Sequence, residues 1–196
     1  MTSTTRHTGS TLPRPPRLGP AEHSLLGLLA GAGDAGIHGY DLARQYSHGP
    51  LGEIIRLESG MLYHHLKKLD RYGLITTHVE HQPDRPDRQV HTLTGIGRRQ
   101  LDHWLREPVR ATREIRLDFL LKLFFTRRLV PTHLDELVAQ QRSVLTALAD
   151  SLRAQMREPA TSDDAIERQM VLRLRQAQTE AALTWLDSLS TTEDDT

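Results

Sequence analysis

The stretch Glu58–Gly73, ESGMLYHHLKKLDRYG, followed directly by a β-type segment, narrows the possible folds of this chain more than any other feature. Leu62, Leu66 and Leu69 recur at spacings of four and three, which makes one apolar stripe on a helix. At about 100° per residue, His64, Lys67 and Arg71 fall opposite that stripe, with Tyr63 and Lys68 flanking them. Ser59 is the expected N-cap, because its hydroxyl can accept from an orphan backbone N–H. Gly73 is the expected stop. A helix that buries leucines and turns a row of cations outward can dock against a polyanion. The competing reading is a plain solvated face.

The segment after the helix favours docking. Leu74–Glu80, LITTHVE, is rich in β-branched residues and alternates, so it reads as a strand. His81–Arg88, HQPDRPDR, breaks that pattern with Pro83 and Pro86. Gln89–Leu93 resumes extended character, and Thr94 caps a further helix through Leu105. Helix, strand, hairpin, strand, helix is the layout of a winged helix, in which one element enters a groove and the hairpin reaches along the backbone.

Four motifs then carry a resemblance. His38-Gly39-Tyr40-Asp41-Leu42, Leu62-Tyr63-x-x-Leu66-Lys67-x-Leu69, Tyr72-Gly73-Leu74-Ile75 and Leu93-Thr94-x-x-Gly97-Arg98 resemble the PadR family of transcriptional regulators over roughly Ala21 to Leu105. The chain departs from the family pattern in two places. Val90 and His91 stand where the second wing strand usually has aromatics, and the loop AGAGDAGI is longer and richer in glycine. The resemblance implies an N-terminal winged helix that binds operator DNA, a helical C-terminal region that makes a dimer, and repression often relieved by a small molecule between the two.

Charge does not announce a nucleic-acid binder. The chain of 196 residues has zero formal net charge, and Ala21–Glu107 holds ten Lys/Arg against eleven Asp/Glu. Binding would need local clustering. Nine of the eleven histidines lie in that half and add positive charge below neutrality. There is no cysteine, so neither a disulfide framework nor a thiolate metal site can form, and a reducing compartment is compatible. No apolar run is long enough for a membrane span. The cytoplasm is the expected location.

Residues 1–20 contain Arg6, Arg14, Arg17, four prolines and no acid, and read as a disordered basic arm without a signal core. Ala21–Ala30 carries Leu25, Leu26, Leu28 and Leu29, and Gly31–Gly36, GAGDAG, is a formal G-x-G-x-x-G. A strand before it and a helix after it would imitate a dinucleotide fingerprint. That makes a small nucleotide-dependent oxidoreductase the alternative function. One hairpin followed only by helices argues against it, and the glycines fit a loose connection between two helices. Tyr40–Ser47 fits a short helix with Leu42, Ala43 and Tyr46 inward. Protease, hydrolase and P-loop motifs are missing, and no enzyme activity or cofactor is expected. His78 and His91 could face each other across the hairpin, but no third ligand stands out, so no metal is expected.

Glu107-Pro108-Val109 ends the helix after the wing and sets the expected domain boundary. Beyond it, Arg113–Arg128 carries the stripe Ile115, Phe119, Leu120, Leu123 and Phe124. A second helix, capped by Thr132, carries Leu134, Val138, Leu145, Leu148 and Leu152, with Gln141 the one polar intruder. A third, capped by Ser162, carries Ile166, Met170, Leu174, Ala177, Ala181 and Trp185. These stripes exceed what one small subunit can bury, which points to a partner chain.

The expected architecture is mostly α with a small β-hairpin: a winged helix-turn-helix domain over 21–107 and a helical dimerisation region over 108–189, with an acidic tail over 190–196. The expected protein is a DNA-binding transcriptional regulator, a repressor acting as a homodimer on a palindromic operator, with a small-molecule effector as the release signal. Ser59, Gly60, Met61, Tyr63, His64 and Lys67 are expected at base edges, with Tyr40 also at the interface. Lys68, Arg71, Arg85 and Arg88 are expected on phosphates. Leu134, Val138, Leu145, Leu148, Leu152, Met170, Leu174 and Trp185 are the expected dimer contacts. Trp104 and Trp185 are candidates to line an effector pocket. A helical interaction protein without DNA binding is the remaining alternative.

Overall fold

A computed structural model describes residues 17–82, 85–157 and 165–191; the side chains of 81, 82, 85–87, 165, 190 and 191 lie outside the description. The proposed arm before Arg17, the hairpin tip, the Ser162 cap and the tail beyond Thr191 therefore fall outside the described residues. The elements are α1 (Pro20–Ala32), β1 (Ile37–His38), α2 (Gly39–His48), α3 (Leu51–Ile54), α4 (Ser59–Arg71), β2 (Ile75–Gln82) and β3 (Arg85–Leu93). Then come α5 (Gly95–Arg106), α6 (Leu120–Leu129), α7 (Leu134–Arg157) and α8 (Ala165–Thr191). Among the described residues no helix is long and apolar enough to cross a membrane. The architecture is mostly helical with one small antiparallel sheet in the order β1-β3-β2. Two compact units divide the chain. One comprises residues up to His48 together with Leu57–Leu101, and the other comprises Gly49–Arg56 together with Asp102 onward.

In the first unit, Leu25, Leu26 and Leu29 of α1, Leu42 of α2, and Leu62, Leu66 and Leu69 of α4 are all buried. The leucine stripe of α4 is thus the face that meets the core. Ser59 is the first residue inside α4 rather than its cap. The cap position belongs to Glu58, whose extended backbone (φ −68°, ψ 147°) supplies no side-chain bond. The other end agrees with expectation. Gly73 has φ +66°, its N–H donates to Asp70 O at 2.9 Å, and the Leu74 N–H donates to Leu69 O at 3.0 Å. This pair of bonds is the Schellman arrangement, which needs a left-handed residue after the helix.

The wing is longer than its prolines suggest. β3 already begins at Arg85, paired with Gln82, and a bulge near Glu80–Gln82 absorbs the irregular segment. His78 pairs with Val90, and Thr77 pairs with His91. Directly opposed residues share a face, so His78 and His91 point to opposite faces and cannot share a ligand. Among the described residues no group of three or more metal-ligating side chains comes together. Thr94 caps α5 as expected, accepting from Gly97 N–H at 3.1 Å while its hydroxyl lies 2.7 Å from Gly73 O.

The dinucleotide reading of GAGDAG fails on structure. The segment before it is α1, not a strand, and the segment Ile55–Glu58 is not in the sheet. The glycines serve a close approach instead. Gly36 has φ +70°, and a Cβ there would meet Val90, the His91 carbonyl and Thr92 at 2.6–2.8 Å. The glycine-rich loop is therefore laid against β3 where Val90 and His91 are buried.

In the second unit, α6 does not keep the expected phase. A π turn over Ile115–Phe119 precedes it, and Phe119, Leu121 and Phe125 become the buried side chains in place of Leu120 and Phe124. A wider turn adds a residue and rotates everything after it. Lys122 is carried inward with them, 3% exposed. Thr132 sits inside a 3-10 turn over Pro131–His133 that leads into α7 rather than in an open cap position. On α7 the buried series is Leu137, Gln141, Leu145, Ala149 and Leu152. Gln141 is there because it bonds backbone: its amide donates to Val109 O at 2.9 Å, and its carbonyl accepts from Val109 N–H at 2.8 Å. That satisfies a loop left unpaired after Pro108. On α8 the buried series is Leu172, Gln176, Thr179, Ala182 and Leu186. The expected stripe is therefore rotated away from the subunit core, with Ile166 71%, Met170 65% and Leu174 60% exposed.

The junction of β2 and α5 yields a stability prediction. A Cβ on Gly97 would stand 2.0 Å from the Leu74 carbonyl oxygen. Gly97→Ala should therefore cost about 3 kcal/mol or more by overpacking. Gly60→Ala, where an added Cβ meets nothing within 4 Å, should gain about 0.5–1 kcal/mol of helix stability. Urea titration of both variants measures the contrast. Similar stabilities for the two would refute the close-packed junction.

Candidate nucleic-acid interface

The site is built on α4. With Leu62, Leu66 and Leu69 buried, the helix turns Ser59, Gly60, Met61, Tyr63, His64, Lys67 and Arg71 to its exposed side. Met61 is 48% and Tyr63 44% exposed, which is high for large apolar side chains and leaves them free to contact a partner. Tyr63 is held by Gly39: a Cβ there would lie 2.9–3.3 Å from the tyrosine ring and hydroxyl. The glycine of the His38-Gly39-Tyr40 motif thus makes room for a ring from α4. Next to it, Tyr40 stands 71% exposed in the first turn of α2. His64 meets His65 edge-on at 5.7 Å.

Lys68 departs from the phosphate role assigned to it. Its ammonium donates to Glu22 Oε1 at 2.5 Å, and His65 Nδ1 lies 3.0 Å from the same oxygen. Glu22 Oε2 accepts the Gly19 N–H at 2.9 Å. Glu22 is 3% exposed. Burial by itself would raise its pKa, but the bonds from Lys68 and from backbone N–H groups, together with nearby His65, hold it at about 2. Lys68 is therefore a brace between α1 and α4, and Lys67 and Arg71 remain as the outward cations of the helix.

The hairpin adds less than expected. Arg88 is exposed and pairs in register with Glu80, an opposite charge directly across the ladder. The Arg85 side chain lies outside the described residues. At the root of the wing, Thr77 Oγ1 donates to Asp70 Oδ1 at 3.3 Å and lies 3.1 Å from His91 Nδ1. Burial lowers the pKa of His91, against a raising influence of Asp70.

In the second unit, Leu145 and Leu152 are fully buried and serve the subunit's own core. Leu134, Val138, Leu148 and Trp185 are half-buried, and Met170 and Leu174 are exposed. The two tryptophans are already engaged. Trp185 stands edge-on to Phe119 at 6.2 Å, and the Trp104 ring carries Lys122 Nζ 4.2 Å from its centre while its carbonyl accepts from the same ammonium. Burial brings the Lys122 pKa down to about 8, against Asp118, Glu107 and Glu114. A cavity of about 10 Å³ lined by Asp102, Leu105, Arg106, Thr126, Val130 and His133 has room for roughly one water, and neither tryptophan lines it.

Sequence reading missed Glu22, His65 as its partner, and Lys122. Glu22 was the findable one, since an acid three residues inside a helix start can reach back to the cap backbone. Its carboxylate should contribute up to about 3 kcal/mol at neutral pH, the scale set by its pKa shift. Because the folded pKa is depressed from 4.5 to about 2, that contribution is complete above 4.5 and disappears as pH falls toward 2. Urea unfolding of Glu22→Gln beside the unaltered chain should show a gap at neutral pH that closes across this window. A gap independent of pH would show that the ionised carboxylate is not its source.

Residues 26–103 match the transcriptional regulator PadR-like family, and residues 115–192 match the virulence activator alpha C-terminal family. The negative transcriptional regulator PadR of Bacillus subtilis is 30% identical over 106 residues, 53% of this chain and 55% of that protein. The chain thus spans about half the length of this relative. A Mycobacterium tuberculosis protein described as a probable transcriptional regulator is 24% identical over 166 residues, 78% of this chain and 87% of the relative. The crystal structure of Bacillus subtilis PadR with operator DNA is similar at 24% identity and a TM-score of 0.43, covering 86% of this chain and 96% of that one. Over the α1-to-α5 region, residues 26–103, the chain is thus similar to the PadR-like family of transcriptional regulators.

Proposed function

We propose that this chain is a repressor that binds a palindromic operator as a homodimer. One observation carries the reading: α4 buries three leucines and leaves Ser59, Gly60, Met61, Tyr63, His64, Lys67 and Arg71 exposed, with a two-stranded wing directly after it. On a helix in a major groove, N-terminal residues reach base edges and later ones reach the backbone. His64 and Lys67 then read base edges, Met61, Tyr63 and Tyr40 offer apolar contact of the kind a thymine methyl accepts, and Gly60 lets backbone approach closely. Arg71, with Arg85 and Arg88 on the wing, holds phosphates. The near balance of charge makes this a weak nonspecific binder, so discrimination must come from α4.

The homodimer reading rests on α8. Ile166, Met170, Val171 and Leu174 are each more than half exposed, on a helix whose other face fills the core. A stripe of that kind marks an interaction surface. A second copy, with its own stripe and the half-buried Leu134, Val138 and Leu148 of α7, is the simplest cover. Residues 21–107 are then the DNA-binding part and 108–189 the dimerisation part. Release by a small-molecule effector is implied by the family resemblance.

Two measurements test this. His64→Ala and Lys67→Ala should each lower the preference for a duplex selected from a random library by about 1–3 kcal/mol per lost base contact, without unfolding. Arg71→Ala should weaken all duplexes alike and reduce the salt slope by about one contact. Unchanged preference in both of the first two, with folding intact, would leave α4 a solvated helix and favour an interaction protein without DNA binding. For the dimer, sedimentation of Met170→Asp/Leu174→Asp should give a folded monomer. Leu145→Asp should instead misfold by burying an unpaired charge. A double variant that sediments like the unaltered chain would place the dimer elsewhere.

A further inference from the structure

Three polar side chains form a relay across the base of the wing, all of it within the first unit. Thr77 on β2 stands directly opposite His91 on β3, so the two share a face of the sheet. There Thr77 Oγ1 lies 3.3 Å from Oδ1 of Asp70, in the last turn of α4, and 3.1 Å from His91 Nδ1. A hydroxyl has one proton and a carboxylate only accepts, so Thr77 donates to Asp70 and His91 Nδ1–H donates to Thr77. A separate observation gives the same tautomer. His91 Nε2 is buried and meets no hydrogen-bond partner among the described residues. An N–H at that position would be a buried donor with nothing to receive it, which is the costlier arrangement. Burial also keeps the His91 pKa below its usual 6.5, so at neutral pH the ring is uncharged and its single N–H is the one on Nδ1.

The relay ties the less supported strand to the reading helix. β3 is the central strand, paired with β1 at Ile37↔His91 and His38↔Val90 and crowded by Gly36 at the His91 carbonyl. β2 is the outer strand, bonded to β3. Thr94 fastens the lower end of the hairpin to the Gly73 and Leu74 carbonyls. Thr77 adds a second point of attachment further out, and two points fix an angle where one does not. At about 3.3 Å per residue Arg88 stands roughly 10 Å beyond His91, so a small tilt at the base carries its guanidinium off a phosphate. We propose that His91 is a positioning residue for the wing: through Thr77 and Asp70 it sets the angle of the hairpin to α4, so that Arg88 meets the DNA backbone while α4 occupies the groove. The proposal rests on the reading of α4 as the base-reading helix.

Variants of the full chain distinguish position from stability. Thr77→Val, His91→Asn, His91→Leu and Arg88→Ala, and Arg88→Ala combined with each of the others, are compared by thermal melting and by the salt dependence of affinity for random duplex. Asparagine sets an amide N–H where Nδ1 stands, whereas leucine fills the buried site better and offers no donor. Arg88→Ala should reduce the salt slope by about 0.9, one phosphate contact. Thr77→Val and His91→Leu should each reduce it by the same amount, with no further loss when Arg88→Ala is added. His91→Asn should keep the slope of the unaltered chain although it melts below His91→Leu. A histidine that only fills space would make the slope follow the melting order, and that result overturns the proposal. Thr77 is half-buried, so Thr77→Val carries the test if a change at His91 unfolds the chain. If Arg88→Ala still removes a full contact in the Thr77→Val background, the positioning role is overturned and the reading of α4 stands. If the chain binds duplex and Arg88→Ala has no effect in it, the wing lies off the backbone and the positioning role falls alone. If the unaltered chain binds no duplex, the DNA reading falls and the positioning role falls with it.

Discussion

The orientation of α4 depends on a buried carboxylate. Glu22 comes from α1, accepts Lys68 and lies within hydrogen-bond reach of His65, both on α4, and fastens its second oxygen to Gly19. A buried acid is tolerated only when such partners are present, and here they hold it charged. The leucines of α4 fix which face is inside, but leucine packing by itself permits some sliding. Charge-assisted bonds are directional and select one register. That is why a residue far from the exposed face bears on what the exposed face can do.

The remaining features of the first unit depend on close approach. Gly36 lets the loop after α1 lie on β3, Gly39 admits the Tyr63 ring, and Gly97 brings α5 against the Leu74 carbonyl. Two of these belong to the motifs that carry the family resemblance, and their physical reason is the absence of a Cβ at a crowded contact. The GAGDAG segment shares glycines with a dinucleotide loop for the same elementary reason, while its neighbours make it a helix-to-strand connection.

The second unit solves a different problem, that of two long helices with more apolar surface than one interface needs. The buried series of α7 and α8 include Gln141, Gln176 and Thr179. Thr179 is satisfied by the Arg175 carbonyl at 2.7 Å and Thr112 at 2.9 Å, and Gln141 by Val109. With polar residues in the buried series, the more apolar stripe of α8, Ile166, Met170, Val171 and Leu174, stands exposed, where a second surface can use it.

The winged-helix order, the leucine stripe of α4, the Gly73 stop and the Thr94 cap were legible in sequence because each rests on local periodicity or local backbone conformation. So was the existence of three later helices. Which face of α8 turns inward was not legible: two series of apolar and small residues run along it, and only the position of α7 and of Thr112 decides between them. The phase of α6 was hidden by a π turn, which periodicity assumes away. The role of Lys68 was hidden for another reason. A cation on a helix surface looks the same in sequence whether its partner is solvent, a phosphate or a carboxylate 46 residues earlier. Sequence determined which elements exist and what they could present. Tertiary structure decided which side chains are already spent on one another, because that depends on contacts between residues far apart in the chain.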